Sequence, residues 1–375
     1  MIKIAVLGAG LVGRAMAIDL SKDYDVTSFD YNDQNLALLA EKEIKTVKKD
    51  LAEKGAVASL AADFDLFVGA VPGFMGFATV REVITAGKNI VDISFFPEDC
   101  FELDELAKSK SVTAIVDFGV APGVPNLLAG HHSSTMKLDT YKCYVGGLPA
   151  ERVYPFEYKA PFSPVDVIEE YTRPARYVEN RKLIIKEALS EPELMYFEGV
   201  GTLEAFNTDG LRSIIKTIDA PNMIEKTLRY PGHIEIIKVL KAAGFFSEHE
   251  RDFRGMKIVP REFISDLLYD AWKIKPKEEE LTVMRIIFEG VENGENVKYT
   301  YDLLDKYNPE TDTYSMARTT GYAATSAVNL VAKSLFTEKG INPPEYVGKK
   351  PDCVDFVFDY MLQRGIKYKK LREIL

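Results

Sequence analysis

Three glycines, Gly8, Gly10 and Gly13, are spaced to hold a dinucleotide. Gly8 lets the chain turn sharply, Gly10 lets backbone approach a pyrophosphate, and Gly13 lets a helix pack closely on a strand. The N–H groups that open the helix, those of Leu11 and Val12 among them, then face the phosphates with the helix dipole behind them. A GxGxxG pattern by itself is common among turns. Here an apolar, β-branched run (residues 2–7) precedes it, and residues 11–20 follow with Val12, Ala15, Met16 and Leu20 at helical spacing. A second apolar run, residues 26–29, ends at Asp30. An acid about 20 residues beyond the first glycine is placed to hold a ribose diol. Tyr31 and Asn32 follow it, with no arginine to take a 2′-phosphate, so the pattern favours NAD over NADP.

Other polar residues fall at the ends of later apolar runs. Asp50 could reach an adenine ring or could be a solvated loop acid. Residues 65–71 read as a buried strand stopped by Pro72-Gly73, so Val71 and Pro72 are candidate walls of the nicotinamide site. The run 89–93 ends at Ser94, a further candidate along the cofactor edge. Asp117 ends the run 112–116, where an acid could accept a proton, anchor an amine, or simply cap the turn. Further on, Arg173 stands beside the acid pair Glu169-Glu170 and could hold a substrate carboxylate or only a surface ion pair. Asp209 could meet an α-amine, although capping a helix over 209–218 would also account for Thr208 or Asp209. His233 opens a helix after Tyr230-Pro231-Gly232. The helix N-terminus would keep it neutral, as a base or as a buried structural histidine.

The elements that must position these residues alternate. Runs at 2–7, 26–29, 44–47, 65–71, 89–93 and 112–116 are separated by helical stretches at 11–20, 32–43, 51–62, 76–86 and 102–108. Six strands with helices on both faces make an α/β, doubly wound parallel sheet of the Rossmann type, over residues 1–124. After about Pro125 the period changes. Residues 140–145 alternate, 175–178 and 183–188 flank a turn, and 281–291 and 297–301 flank a turn containing Gly294. With helices at 233–243 and 261–274, residues 125–314 predict an α+β domain with a mainly antiparallel sheet. Residues 315–335 and 352–362 read as helices in a third segment, 315–375.

Composition narrows the class. With 375 residues and 46% hydrophobic content the chain can build two cores, and its net charge of −10 argues against nucleic-acid or anionic-membrane surfaces. No apolar run reaches the roughly 18 residues of a membrane span, and the first strand begins too early for a signal peptide. Three dispersed cysteines, with no CxxC, suit a reducing cytoplasmic setting, and the four histidines have no zinc spacing, so no metal is expected.

The motifs in order resemble the saccharopine dehydrogenase superfamily along nearly the whole chain. They are GAGLVG (8–13), VDFGVAPGVPN (116–126), VGGLP (145–149), EYTRPAR (170–176), TLRYPGH (227–233) and ARTTG (317–321). GVGTLEAFNTDGLRS (199–213) is similar to the lysine 6-dehydrogenase branch. Two departures stand out. Saccharopine-forming members usually carry a cysteine where Val145 stands, and an arginine-bearing PNRDS segment where Asn207 to Gly210 stand. The resemblance therefore implies a smaller amino acid, L-lysine, oxidised by NAD at its ε-carbon to the 6-semialdehyde with release of ammonia. On that reading Asp117 is the expected base or amine anchor, with His233 as second choice, Arg173 holds the α-carboxylate and Asp209 could meet the α-amine. The resemblance further implies that residues 315–375 return to the cofactor domain and that the protein is a homodimer. A condensing reductase of saccharopine or carboxynorspermidine type, or a non-catalytic NAD-binding sensor, are the other readings.

Overall fold

The strand Lys3–Leu7, buried along Ile4 to Leu7, pairs in parallel with Asp25–Asp30 on one side and Leu66–Gly69 on the other. The computed structural model describes residues 1–160 and 164–375, with only the backbone of 164–166. The chain divides into two units. The first gathers Met1–Lys137, Lys216–Ile218 and Met316–Lys367, and the second Leu138–Ile215, Asp219–Ser315 and Tyr368–Leu375.

Among the described residues, the first unit's sheet has seven strands in the order Gly340–Asn342, Thr113–Ile115, Asn89–Asp92, Leu66–Gly69, Lys3–Leu7, Asp25–Asp30 and Lys45–Lys48. Its neighbouring strands all pair in parallel. The seventh strand, Gly340–Asn342, comes from the far end of the chain. At three residues it is too short to carry a readable period. The core includes Leu7, Phe29, Phe67, Val80, Ile90, Phe96 and Val116.

Residues 51–62 were expected to be helical, and they are not: they form turns that tighten into one 3₁₀ turn, Ala58–Leu60. Gly55 sits in the left-handed region (φ +80°), which breaks the helical path. Glu82, from the helix Gly73–Thr85, accepts the N–H groups of Gly55 and Ala58, supplying the partners a helix would have given.

The helix behind the glycine turn, Leu11–Leu20, is tied down near its far end. Asp19, 1% exposed, accepts from Thr325 Oγ1 (2.7 Å), Tyr360 OH (2.6 Å) and Arg364 Nε (2.8 Å). The donors lie on the helices Ser315–Ala332 and Pro351–Gln363 and just beyond the latter.

In the second unit, nine strands form one sheet among the described residues. A long hairpin, the strands Glu193–Phe197, Gly201–Asn207 and Asn222–Arg229 in succession, and Ala175–Glu179 with Lys182–Lys186 pair antiparallel, whereas Asn222–Arg229 runs parallel to Lys137–Pro149. The long hairpin Glu280–Glu292 and Glu295–Lys306 turns through Asn293 (φ 52°) and Gly294 (φ 87°), the two left-handed positions a tight two-residue hairpin demands. Asn180 and Arg181 serve the same purpose between Ala175–Glu179 and Lys182–Lys186. One core is built around Trp272, Tyr158, Tyr171 and Phe206, and another around Leu148, Leu203, Leu228 and Val283.

The helix expected over 209–218 shrinks to Ile214–Thr217. Arg212 is left-handed (φ 55°), and Gly210 packs so closely that an added Cβ would meet the Glu225 carboxylate. Neither expected cap is available, because Thr208 Oγ1 pairs with Thr227 Oγ1 and Asp209 is engaged by Arg176.

Candidate functional site

In the first unit the candidate residues fall along one edge of the parallel sheet, where the strands end. A Cβ on Gly8 would lie 2.5 Å from the Ala70 carbonyl oxygen, and one on Gly13 would lie 2.1 Å from the Gly8 oxygen. Both glycines are therefore required by packing within the protein. Gly10 differs, since a Cβ there would meet nothing within 4 Å. It caps Leu11–Leu20 with no side-chain bond, so the N–H groups that open that helix are left for a ligand.

Asp30 adjoins this turn. Its Oδ2 accepts from Ala9 N at 2.7 Å and its Oδ1 from Asn32 N at 2.8 Å, which fixes a buried carboxylate beside the glycines. Lys48, on the neighbouring strand, is paired with Asp33. An open glycine, a helix start and an oriented acid fit a nicotinamide dinucleotide. Asp50 is exposed and accepts from Ala52 N at 2.9 Å, holding its own loop.

Val71 is buried and Pro72 exposed, immediately before the helix that begins at Gly73. Ser94 is buried and bonds twice to Asp92, through its N–H (2.8 Å) and its hydroxyl (2.9 Å). Asp92 in turn forces a glycine at position 69, where a Cβ would lie 1.9 Å from its carboxylate. Asp117 is 2% exposed and has a left-handed backbone (φ 56°). That region is sparsely populated except by glycine, asparagine and aspartate, and such geometry concentrates at functional sites.

Arg173, Asp209 and His233 belong to the second unit. His233 is 2% exposed, with Nδ1 2.8 Å from the Phe156 carbonyl and Nε2 2.9 Å from the Tyr171 hydroxyl. Burial, reinforced by the Arg229 guanidinium, lowers its pKa to about 3, so the ring is neutral. Arg229 is itself buried. It donates from Nε to Tyr171 OH (3.2 Å) and from Nη2 to Glu170 (2.9 Å), and stacks over the Tyr158 ring at 4.3 Å. Burial pushes Tyr171 up to about 12. Glu170, Tyr171 and Arg229 were missed by sequence reasoning, although they lie inside the motifs 170–176 and 227–233. Neither the helix Pro164–Thr172 nor the strand Asn222–Arg229 that carries them was read from the sequence.

Asp209 takes both arms of the Arg176 guanidinium at 2.9 Å and the Arg176 N–H at 3.2 Å. Arg173 pairs with Glu169 one helical turn earlier. Both of those residues line a cavity of about 480 Å³ together with Thr172, Phe246, Ser247, Glu248, His249 and Arg261. Among the described residues no cluster of three or more His, Cys, Asp or Glu side chains could hold a metal, and no helix is long and apolar enough to cross a membrane.

Comparisons with known proteins point one way. The saccharopine dehydrogenase NADP binding domain matches residues 4–115, and the saccharopine dehydrogenase C-terminal domain matches residues 119–366. The saccharopine dehydrogenase (NADP(+), L-glutamate-forming) of Pyricularia oryzae is 28% identical over 223 residues, which cover 55% of this chain and 49% of that enzyme. The chain thus spans about half the length of that relative. Carboxyaminopropylagmatine dehydrogenase of Synechocystis is 21% identical over 380 residues, 94% of each chain. The apo structure of saccharopine dehydrogenase (L-Glu forming) from Saccharomyces cerevisiae superposes over 100% of both chains with a TM-score of 0.80 at 20% identity, a likeness of fold.

Proposed function

The chain belongs to the saccharopine dehydrogenase superfamily, and from that premise we propose that it oxidises the ε-carbon of L-lysine with NAD, releasing ammonia. The observation that carries the choice of NAD is Asp30, whose buried carboxylate faces the glycine turn and would repel a 2′-phosphate. The family description and the Pyricularia relative name NADP instead, so the preference is a property of this chain's own residues. When bound, the dinucleotide supplies the hydride acceptor. Gly8, Gly10 and Gly13 with the N–H groups of Leu11 and Val12 would hold its pyrophosphate, Asp30 its ribose, and Val71, Pro72 and Ser94 the edge beyond. Asp50, committed to its own loop, is at most an adenine contact.

The protein's remaining tasks are to orient the amino acid and move a proton. An ε-ammonium must lose a proton before its carbon can give up hydride, and Asp117 is the base proposed for that. The resulting imine takes up water and separates into the 6-semialdehyde and ammonia. One water is consumed, and two electrons leave with the hydride. Arg173 holds the α-carboxylate. Asp209 acts through Arg176, and His233 is a positioning residue that holds Tyr171.

The test is NAD reduction with lysine, ornithine, saccharopine and diamines, with ammonia measured in parallel. Lysine is expected to give equal NADH and ammonia. No reduction with lysine, or reduction without ammonia, would overturn the proposal. The end-to-end match to the Synechocystis relative favours one second reading, a reductase that joins an amine to an aldehyde. That enzyme would consume NAD(P)H with two carbon substrates and release no ammonia.

A further inference from the structure

The cavity in the second unit has a charge pattern that an isolated anion or cation would not match. Arg173 and Arg261 both pair with Glu169, and Arg261 pairs also with Glu248. Positive and negative groups thus alternate, two of each, and their formal charges cancel. A lone carboxylate entering here would meet Glu169 and Glu248 as well as the arginines. A lone ammonium would meet the arginines as well as the glutamates. A ligand that carries both charged groups on one carbon can satisfy both sets.

We infer that this cavity binds the zwitterionic head of an amino acid, with the carboxylate on Arg261 and Arg173 and the ammonium between Glu169 and Glu248. The inference rests on the amino-acid reading of the substrate and adds Arg261, Glu169 and Glu248 to the residues that recognise it. Exchange of partners costs little. The Arg261 side chain is 16% exposed and Glu248 69% exposed, so the arginine is held in place while the glutamate is solvated. Exposed ion pairs add little to stability, and a ligand carboxylate can take over the guanidinium fork at small cost. Arg261 is further fixed by its backbone, its N–H donating to the Ser247 carbonyl and its carbonyl accepting from Ser265 Oγ. Phe246, 7% exposed and part of the core around Trp272, offers an apolar wall for the carbon stem. The volume, about 480 Å³, is in the range of small-molecule sites.

The test uses the full chain and L-norleucine, which has the zwitterionic head and an apolar stem but no ε-amine to oxidise. Hexanoate and pentylamine present the two charges separately on the same five-carbon stem. Calorimetric titration is expected to show norleucine binding at least tenfold more tightly than either. Arg261→Lys keeps the charge but loses the fork, and is expected to weaken norleucine at least fivefold. Glu248→Gln, at an exposed position where folding is not at risk, is expected to weaken it at least threefold. NADH binding should be unchanged in both variants, which checks that each is folded. Equal affinities for the three probes, or norleucine binding indifferent to both substitutions, would overturn the inference. Lysine turnover reports separately. An enzyme that oxidises lysine while norleucine ignores Arg261 loses this inference alone. One that binds norleucine through Arg261 but oxidises a different amino acid loses the lysine proposal alone.

Discussion

His233 Nε2 lies 2.9 Å from the Tyr171 hydroxyl, and the Phe156 carbonyl beside Nδ1 sets which of the two donates. With the ring neutral, Nδ1–H donates to the Phe156 carbonyl, so Nε2 is the acceptor of the Tyr171 proton. Tyr171 oxygen then accepts from Arg229 Nε at 3.2 Å. Each group uses its neighbour, which leaves no ring nitrogen to take a proton from a substrate. The motif 227–233 thus supports the interior of its unit through Arg229 and His233 together.

A stability prediction follows from the sign of the shift. The folded pKa of His233, about 3, lies below the ordinary 6.5. Between those values the unfolded chain binds the proton that the folded chain refuses, so stability is lost as pH falls. The contribution is complete above pH 6.5 and declines as pH drops towards 3. At 1.36 kcal/mol per pKa unit, lowering the pH from 7 to 5 removes about 2 kcal/mol through this residue. Urea unfolding at both pH values should show wild type losing about that much more than His233→Gln. Equal losses would mean that the ring is protonated in the folded protein or is exposed to water.

Gly10 and Gly13 should separate cofactor binding from folding. Gly10→Ala adds a methyl that meets no protein atom within 4 Å, at a residue with φ −61° that alanine adopts freely. Its unfolding free energy should stay within about 0.5 kcal/mol of wild type, as for other substitutions that touch nothing. NADH affinity should fall more than tenfold, because the methyl occupies the path of the pyrophosphate. Gly13→Ala places its methyl 2.1 Å from the Gly8 oxygen and should cost about 1–3 kcal/mol of stability before any cofactor is added. Denaturation curves and NADH fluorescence titrations on the pair check both expectations.

Asp19 allows a third test. Breaking a buried ion pair by removing one partner costs roughly 3–5 kcal/mol, because the other charge stays behind. Asp19→Ala strands Arg364, whose side chain is 15% exposed, and removes the acceptor of Tyr360 and Thr325. A loss of about 3 kcal/mol in chemical denaturation is expected, and a loss below about 1 kcal/mol would mean that the helices Ser315–Ala332 and Pro351–Gln363 do not depend on this anchor.

The centre of the parallel sheet was readable because strands such as Lys3–Leu7 and Leu66–Gly69 are continuous apolar runs and the first turn carries spaced glycines. The failures have local causes. Residues 51–62 have helical composition, but a glycine in left-handed geometry and the distant carboxylate of Glu82 claim their N–H groups. Residues 209–218 carry good cap residues, but Arg176, over 30 positions earlier, takes the carboxylate that would cap. Charge alone does not separate a buried partner from a solvated one. Asp19, on the helix Leu11–Leu20, is 1% exposed, whereas Asp50, which the sequence also allows as a solvated loop acid, is exposed. Arg173 illustrates the converse. Its spacing from Glu169 is that of a surface pair, and only the fold brings Arg261 and Glu248 into the same cavity.

Asp117 is where the proposed chemistry can be isolated most cleanly. Its backbone sits at φ 56°, a region in which asparagine is nearly as comfortable as aspartate and alanine is not. Asp117→Asn therefore keeps the turn and removes only the carboxylate, whereas Asp117→Ala would mix lost chemistry with added strain. If Asp117 accepts the ε-ammonium proton, the asparagine variant should lose about 10²–10⁴-fold in kcat, the range of general base catalysis, with NADH affinity unchanged. Raising the pH should restore part of the rate, since more lysine then arrives with its ε-amine already neutral and needs no base. A variant with unchanged kcat would remove Asp117 from the reaction. A slow variant that gains nothing at high pH would make it an amine anchor instead of a base, and steady-state kinetics across pH 7 to about 10.5, near the lysine pKa, distinguishes the two.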